Sequence, residues 1–110
     1  MATFNFQSLD IYRVAKVVAV LVQGSRIRDA KLRDQATRAA KSCFLNLSEG
    51  LPSDQAGVRR RHFSLVNGSL GELSAAIDLA IALSAIDESA ARTIEASCER
   101  FAMMLRKLMR

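Results

Sequence analysis

From Phe63 onward, apolar or small residues recur every three or four positions: Phe63, Val66, Leu70, Leu73, Ile77, Ala80 and Ser84, then Ala91, Ile94, Cys98, Phe101, Leu105 and Leu108. That spacing lays one apolar seam along each of two long helices. Only a short turn around Asp87 separates them, so the second helix folds back along the first and the seams bury each other. Two further helices are expected upstream. The chain therefore reads as all-α, an antiparallel up-and-down four-helix bundle, with residues 1–110 forming one domain.

The first helix is expected over about 9–23, after Ser8 as N-cap, with Ile11, Val14, Ala15, Val18 and Val22 on one side. The second is expected over about 31–48, after Asp29. Its apolar face is Leu32, Ala36, Ala39, Ala40, Cys43, Phe44 and Leu47, and Gly50 followed by Pro52 reads as a C-terminal glycine stop. The third begins near Ser53 or Asp54 and runs to about Ser84, a rod of about 45 Å. Gly57, Gly68 and Gly71 weaken it, which points to close approach by another helix or to a flexible first turn. The fourth starts near Glu88, capped by Asp87.

Composition fits this reading and removes several function classes. Half of the 110 residues are apolar, few are aromatic and one is proline, a mixture that suits helices joined by short loops. The apolar stretch at 15–22 is interrupted by Lys16, too short to span a bilayer and poor as a signal peptide, so no membrane role is expected. Cys43 and Cys98 fall on core stripes without a Cys-x-x-Cys or Cys/His partner. They read as small buried hydrophobes in a reducing, cytoplasmic setting. His62 stands alone, with no Ser, Cys or carboxylate partner at any motif spacing, and Glu49 with Glu72 reads as a packed contact. No catalytic residue, metal site or cofactor is expected, and the chain reads as non-enzymatic.

Apolar residues also occur off the main seams. Leu65, Ala76, Leu79 and Leu83 on the third helix, with Val17 and Val20 on the first, project away from the expected core. A stripe sustained over several turns marks an interface, so self-association is expected and these six residues are its candidates.

The net charge of +5 is unevenly spread. Residues 13–61 hold eleven Lys or Arg against four acids, 62–99 one base against six acids, and 100–110 four bases and no acid. On the second helix Lys31, Arg38 and Lys41 form a basic stripe opposite the apolar face, with Asp34 and Leu45 among them. The stripe suits either a solvated face or a contact for phosphates or an acidic partner. Between it and the core runs a polar line, Gln35, Ser42, Asn46 and Glu49, expected to hydrogen-bond across to Ser69 and Glu72 on the third helix.

The segment LRDQATRAAKSCFLNLSEG, followed by NGSLGEL, carries Gln35, Arg38, Ala39, Ala40, Ser42, Asn46, Glu49 and Gly50, then Gly68, Ser69, Leu70, Glu72 and Leu73. This arrangement resembles the four-helix-bundle family encoded in intervening sequences of bacterial large-subunit ribosomal RNA genes. The resemblance implies a homopentamer with a central channel. It also implies kinship with the accessory variability protein of diversity-generating retroelements, which partners a reverse transcriptase and binds nucleic acid through a basic surface. Where many members carry a basic run after the second helix, this chain reads LPSDQAG, and its nearest substitute is Arg59, Arg60 and Arg61, about two helical turns further on.

Two functional readings stand side by side. In one, an accessory factor holds RNA or DNA phosphates through Lys31, Arg38, Lys41, Arg59, Arg60 and Arg61 without reading sequence. In the other, a structural or adaptor oligomer binds another protein, such as a reverse transcriptase, and has no nucleic-acid role.

Overall fold

The computed structural model describes residues 5–110. A 3-10 turn at Asn5–Ser8 leads into four helices, α1 (Asp10–Gly24), α2 (Ala30–Gly50), α3 (Ala56–Ala82) and α4 (Glu88–Met109), and no strand occurs among the described residues. Each helix packs antiparallel on the next, and α4 closes the square against α1, which leaves α1 and α3 at diagonal corners. The bundle is 43 Å long, about the length of α3 itself.

Local chemistry sets the helix ends. Asp29 accepts the Leu32 amide at 2.9 Å and Asp87 the Ala90 amide at 3.3 Å, each satisfying a first-turn N–H that would otherwise lack a partner. At α1 the expected Ser8 cap is corrected: Leu9 holds the N-cap position without a side-chain bond, and Ser8 belongs to the preceding turn.

Gly50 also departs from expectation. It ends α2 without left-handed backbone, and Leu51 continues in the right-handed region. The reason for glycine is space, because a Cβ there would lie 2.8 Å from the Phe63 ring and 3.0 Å from the His62 Cβ. Left-handed backbone occurs instead at Arg26, in the α1–α2 loop, and at Ser84, where α3 stops, each at φ 54°. Ser84 follows the helix rather than extending the seam, and the Ala85 amide bonds back to the Ala80 carbonyl at 2.8 Å.

The core runs the length of the square. Leu47, Phe63, Leu73, Ile77, Ile94, Phe101 and Leu105 are its largest fully buried side chains on α2–α4, and Val18 joins them from α1. Burying each such side chain stabilises the fold by roughly 1.5–3 kcal/mol. By length and composition α3 would also suit a membrane span; its seam here is buried in the bundle. Ile27, Ala85 and Ile86 cover one end of the core, where Arg28 donates to the Ser84 carbonyl at 2.6 Å and ties the α1–α2 loop to the α3–α4 loop. Leu108, expected on the α4 seam, is exposed near the end of the helix.

Ala76 requires correction. Only 4% exposed, it lies in the core rather than on an outward stripe, because position 76 adjoins the buried positions 73, 77 and 80 on the helical wheel. Leu65, Leu79 and Leu83 remain about half exposed, as does Val17, and Val20 is 65% exposed. Gly57, Gly68 and Gly71 meet nothing within 4 Å, so no helix of the same chain approaches them.

Candidate functional site

The polar line of α2 becomes a hydrogen-bonded ladder on the α2/α3 seam. Ser42 and Ser69 share a hydroxyl–hydroxyl bond of 2.9 Å. The Asn46 amide donates to the Ser42 carbonyl at 3.1 Å and to its hydroxyl at 3.2 Å. With its N–H groups so committed, Asn46 turns its oxygen to His62 Nδ1 at 3.2 Å, so that this ring nitrogen carries the hydrogen and donates it. His62 Nε2 then faces the Glu49 carboxylate at 3.5 Å. The histidine that seemed solitary in the sequence thus has two partners, both supplied by α2. Glu49 faces His62 rather than Glu72, and Glu72 and Gln35 make no hydrogen bond among the described residues.

The basic stripe of α2 borders an open groove beside this ladder. Lys31, Arg38 and Lys41 share the groove with Asp34, Glu49 and Glu72, so bases and acids balance there. Arg38 is already paired with Asp34 one turn away, and both are exposed. Leu45, more than half exposed, lies between the charges. A phosphate approaching this groove meets as much repulsion as attraction.

The three consecutive arginines separate, as residues about 100° apart on a helix must. Arg59 turns back along the chain. Its guanidinium donates to the carbonyls of Leu51 at 2.7 Å, Ser53 at 3.2 Å and Gly50 at 3.4 Å, and stands 5.1 Å above the Phe63 ring. These bonds satisfy carbonyls at the end of α2 and hold the α2–α3 turn, which removes Arg59 from the set of free phosphate ligands. Arg60 and Arg61 remain exposed.

The antiparallel path brings the start of α3 to the end of α4. Arg60 and Arg110 flank one hollow, opposite Asp54, while Arg106 and Arg110 flank the next, opposite Asn67. Lys107 is exposed in the same last turns of α4. Arg60, Arg106 and Arg110 thus line two adjoining hollows in which Asp54 is the one acid, and exposed Arg61 and Lys107 lie in the same helical turns, which makes this the basic end of the bundle. None of the five has an ion-pair partner among the described residues. Sequence reasoning did not select the three α4 bases, although the unbalanced charge of 100–110 was the signal for them.

Another groove, between α3 and α4, has the opposite sign. It is lined by Asp78, Glu95 and Glu99 and contains no base. Cys98 lines its floor. Both thiols are free and buried; burial pushes Cys43 up to about 12 and Cys98 up to about 11, which keeps them as inert thiols at neutral pH.

No curated protein matches the chain. The family model for the 23S rRNA-intervening sequence protein matches residues 7–107, which takes in α1–α3, all but the last two residues of α4 and the ladder between α2 and α3, and the chain belongs to that family.

Proposed function

We propose that this is a non-enzymatic accessory protein of the cytoplasm that assembles with copies of itself and holds nucleic-acid phosphates on its basic end. The observation that carries the reading is that Arg60, Arg106 and Arg110 line adjoining hollows in which Asp54 is the one acid, with Arg61 and Lys107 exposed in the same turns. Such an end attracts the phosphate backbone through counterion release, without reading bases. No aromatic side chain stands exposed among these bases for stacking, because Phe63 is buried.

Assembly multiplies the effect. Half-exposed Leu65, Leu79 and Leu83 support self-association, and the family resemblance implies a pentamer. Five copies would turn a weak site into one of high avidity. Arg59 drops out of the binding set because its Nη1 is held on the carbonyls of the α2–α3 turn, and Lys31, Arg38 and Lys41 drop out because their groove is neutral.

An electrophoretic titration with RNA and with DNA, each at two salt concentrations, tests the reading. Affinity falling steeply with salt, and the slope falling by about one per engaged copy for each of Arg60→Ala and Arg106→Ala, is the expected result. Absence of binding at low salt overturns it and leaves the second reading, an adaptor for another protein, which the mixed charge of the α2/α3 groove around Leu45 favours.

A further inference from the structure

Between α3 and α4 the bundle leaves a trough of about 450 Å³ that neither the ladder nor the basic end uses. Its floor is apolar, made of the buried Leu70 and Ile77 from α3 and Ile94 and Cys98 from α4. Small side chains, Ser74, Ala75 and Ala102, keep it open, and Asp78, Glu95 and Glu99 stand exposed on its rims. Because α3 and α4 run antiparallel, Leu70 lies across from Ala102 and Asp78 across from Ile94. The step from Leu70 to Asp78 gives the trough a length of about 12 Å, two turns of a helix.

No base lines this trough, and none of its three acids has an ion-pair partner among the described residues. Arg92, one turn before Glu95, is already held by Glu88 at 2.7 Å. A second observation lies beneath the rims. Cys98 is 6% exposed yet makes no hydrogen bond among the described residues, whereas the Cys43 thiol donates to the Val66 carbonyl at 3.8 Å. The floor therefore offers an unclaimed, weak donor to whatever fills the trough. A single metal ion does not fit, since no group of three or more His, Cys, Asp and Glu is placed to hold one among the described residues. Carboxylates spread along two rims over an apolar floor match a rod with positive charges on its flanks and an apolar side chain beneath.

We infer that the α3/α4 trough is a docking groove for a basic amphipathic helix of a partner protein. An apolar side chain of that helix sits over Ile77, Ile94 and Cys98, and its Lys or Arg residues pair with Asp78, Glu95 and Glu99. Glu95 and Glu99 are one turn apart on one face of α4, the interval at which a guest helix repeats its own side chains. The apolar anchor supplies affinity, and the rim charges select the partner and its orientation. Those charges repel a polyanion, so the groove is separate in kind from the basic end, and Asp78 stands about 27 Å along α3 from Arg60.

The probe is a fluorescein-labelled synthetic helix carrying one leucine, an arginine one turn to either side of it, and alanine elsewhere, titrated by fluorescence anisotropy at low salt. Wild type should bind it, and Glu95→Gln/Glu99→Gln should weaken binding about tenfold or more. Ala75→Gln, which fills the trough without changing its charge, should weaken binding comparably, as should alanine in place of the probe's leucine. Arg60→Ala should leave it unchanged. All four protein positions are exposed, and the fold is checked by helical circular dichroism. In Cys43→Ala, where Cys98 is the one remaining thiol, bound probe should slow maleimide labelling of Cys98 several-fold; this measurement decides if Ala75→Gln loses its helical signal, and labelling that the probe leaves unchanged overturns the groove. A wild type that does not bind the probe overturns it too, and so does binding that ignores both Ala75→Gln and the lost leucine, which is attraction of charge alone. An oligomer mass that falls in Glu95→Gln/Glu99→Gln without probe gives the trough to a second copy and overturns the partner helix. RNA affinity read on the same variants separates the two sites: its absence with probe binding intact counts against the basic end and leaves the groove standing.

Discussion

The basic end and the α2/α3 groove both gather positive side chains, yet one surface is positive and the other balanced. In the groove, Arg38 is neutralised one turn away by Asp34, and Glu49 and Glu72 face the lysines. At the end, bases from α3 and α4 meet in hollows whose one acid is Asp54. Charge counted along a segment measures neither surface, because antiparallel packing decides which segments share a field.

The end depends on the junction beneath it, so the largest effect is expected where that junction is tightest. Gly50→Ala should lower stability by about 1–3 kcal/mol in denaturant unfolding, although alanine is the better helix former, because the added methyl collides with the buried Phe63 ring. Arg59→Ala should cost about 1–2 kcal/mol, since it leaves carbonyls at the end of α2 without their charged donor, yet change polyanion affinity little. A large loss of affinity from this substitution in a folded protein would erase the distinction between Arg59 and its neighbours.

On the groove side, Ser42→Ala should cost about 1 kcal/mol by leaving Ser69 and Asn46 each short of a partner. Asp34→Asn combined with Glu72→Gln should scarcely alter stability but make the groove net positive, and salt-sensitive RNA binding should strengthen if local charge balance is what excludes phosphates there. The comparison fails if the neutral and positive grooves bind alike.

Beneath the two grooves, the buried thiols set a smaller, pH-dependent term. With Cys43 raised to about 12 and Cys98 to about 11 from an ordinary 9.0, the unfolded chain loses these protons first as pH rises. Their contribution is therefore present in full below about pH 9 and lost as pH climbs through 11 to 12. Melting temperatures measured across that window should fall less steeply in Cys43→Ala/Cys98→Ala than in wild type.

The main seams were readable because a residue's place on a helical face follows from its spacing alone. Phe63, Val66, Leu70, Leu73, Ile77 and Ala80 are all buried as their intervals imply, and Asp29 and Asp87 cap the helices they precede. Ala76 was misplaced because spacing cannot tell how wide a buried stripe becomes when two neighbouring helices press on it. Ser84 was misplaced because a helix end is set by a local backbone turn, which the seam pattern ignores.

For the candidate surfaces, the sequence showed which side chains carry charge and which line on α2 is polar. It could not show that Asn46 and Glu49 clasp His62, that Arg59 turns inward, or that Arg60 meets Arg106 and Arg110 across a hollow. Periodicity is a property of one helix, whereas these contacts join different helices. The sequence alone determined four amphipathic helices and their fold-back; the antiparallel register between them decided which charges meet, because Coulomb interaction follows distance in space and not along the chain.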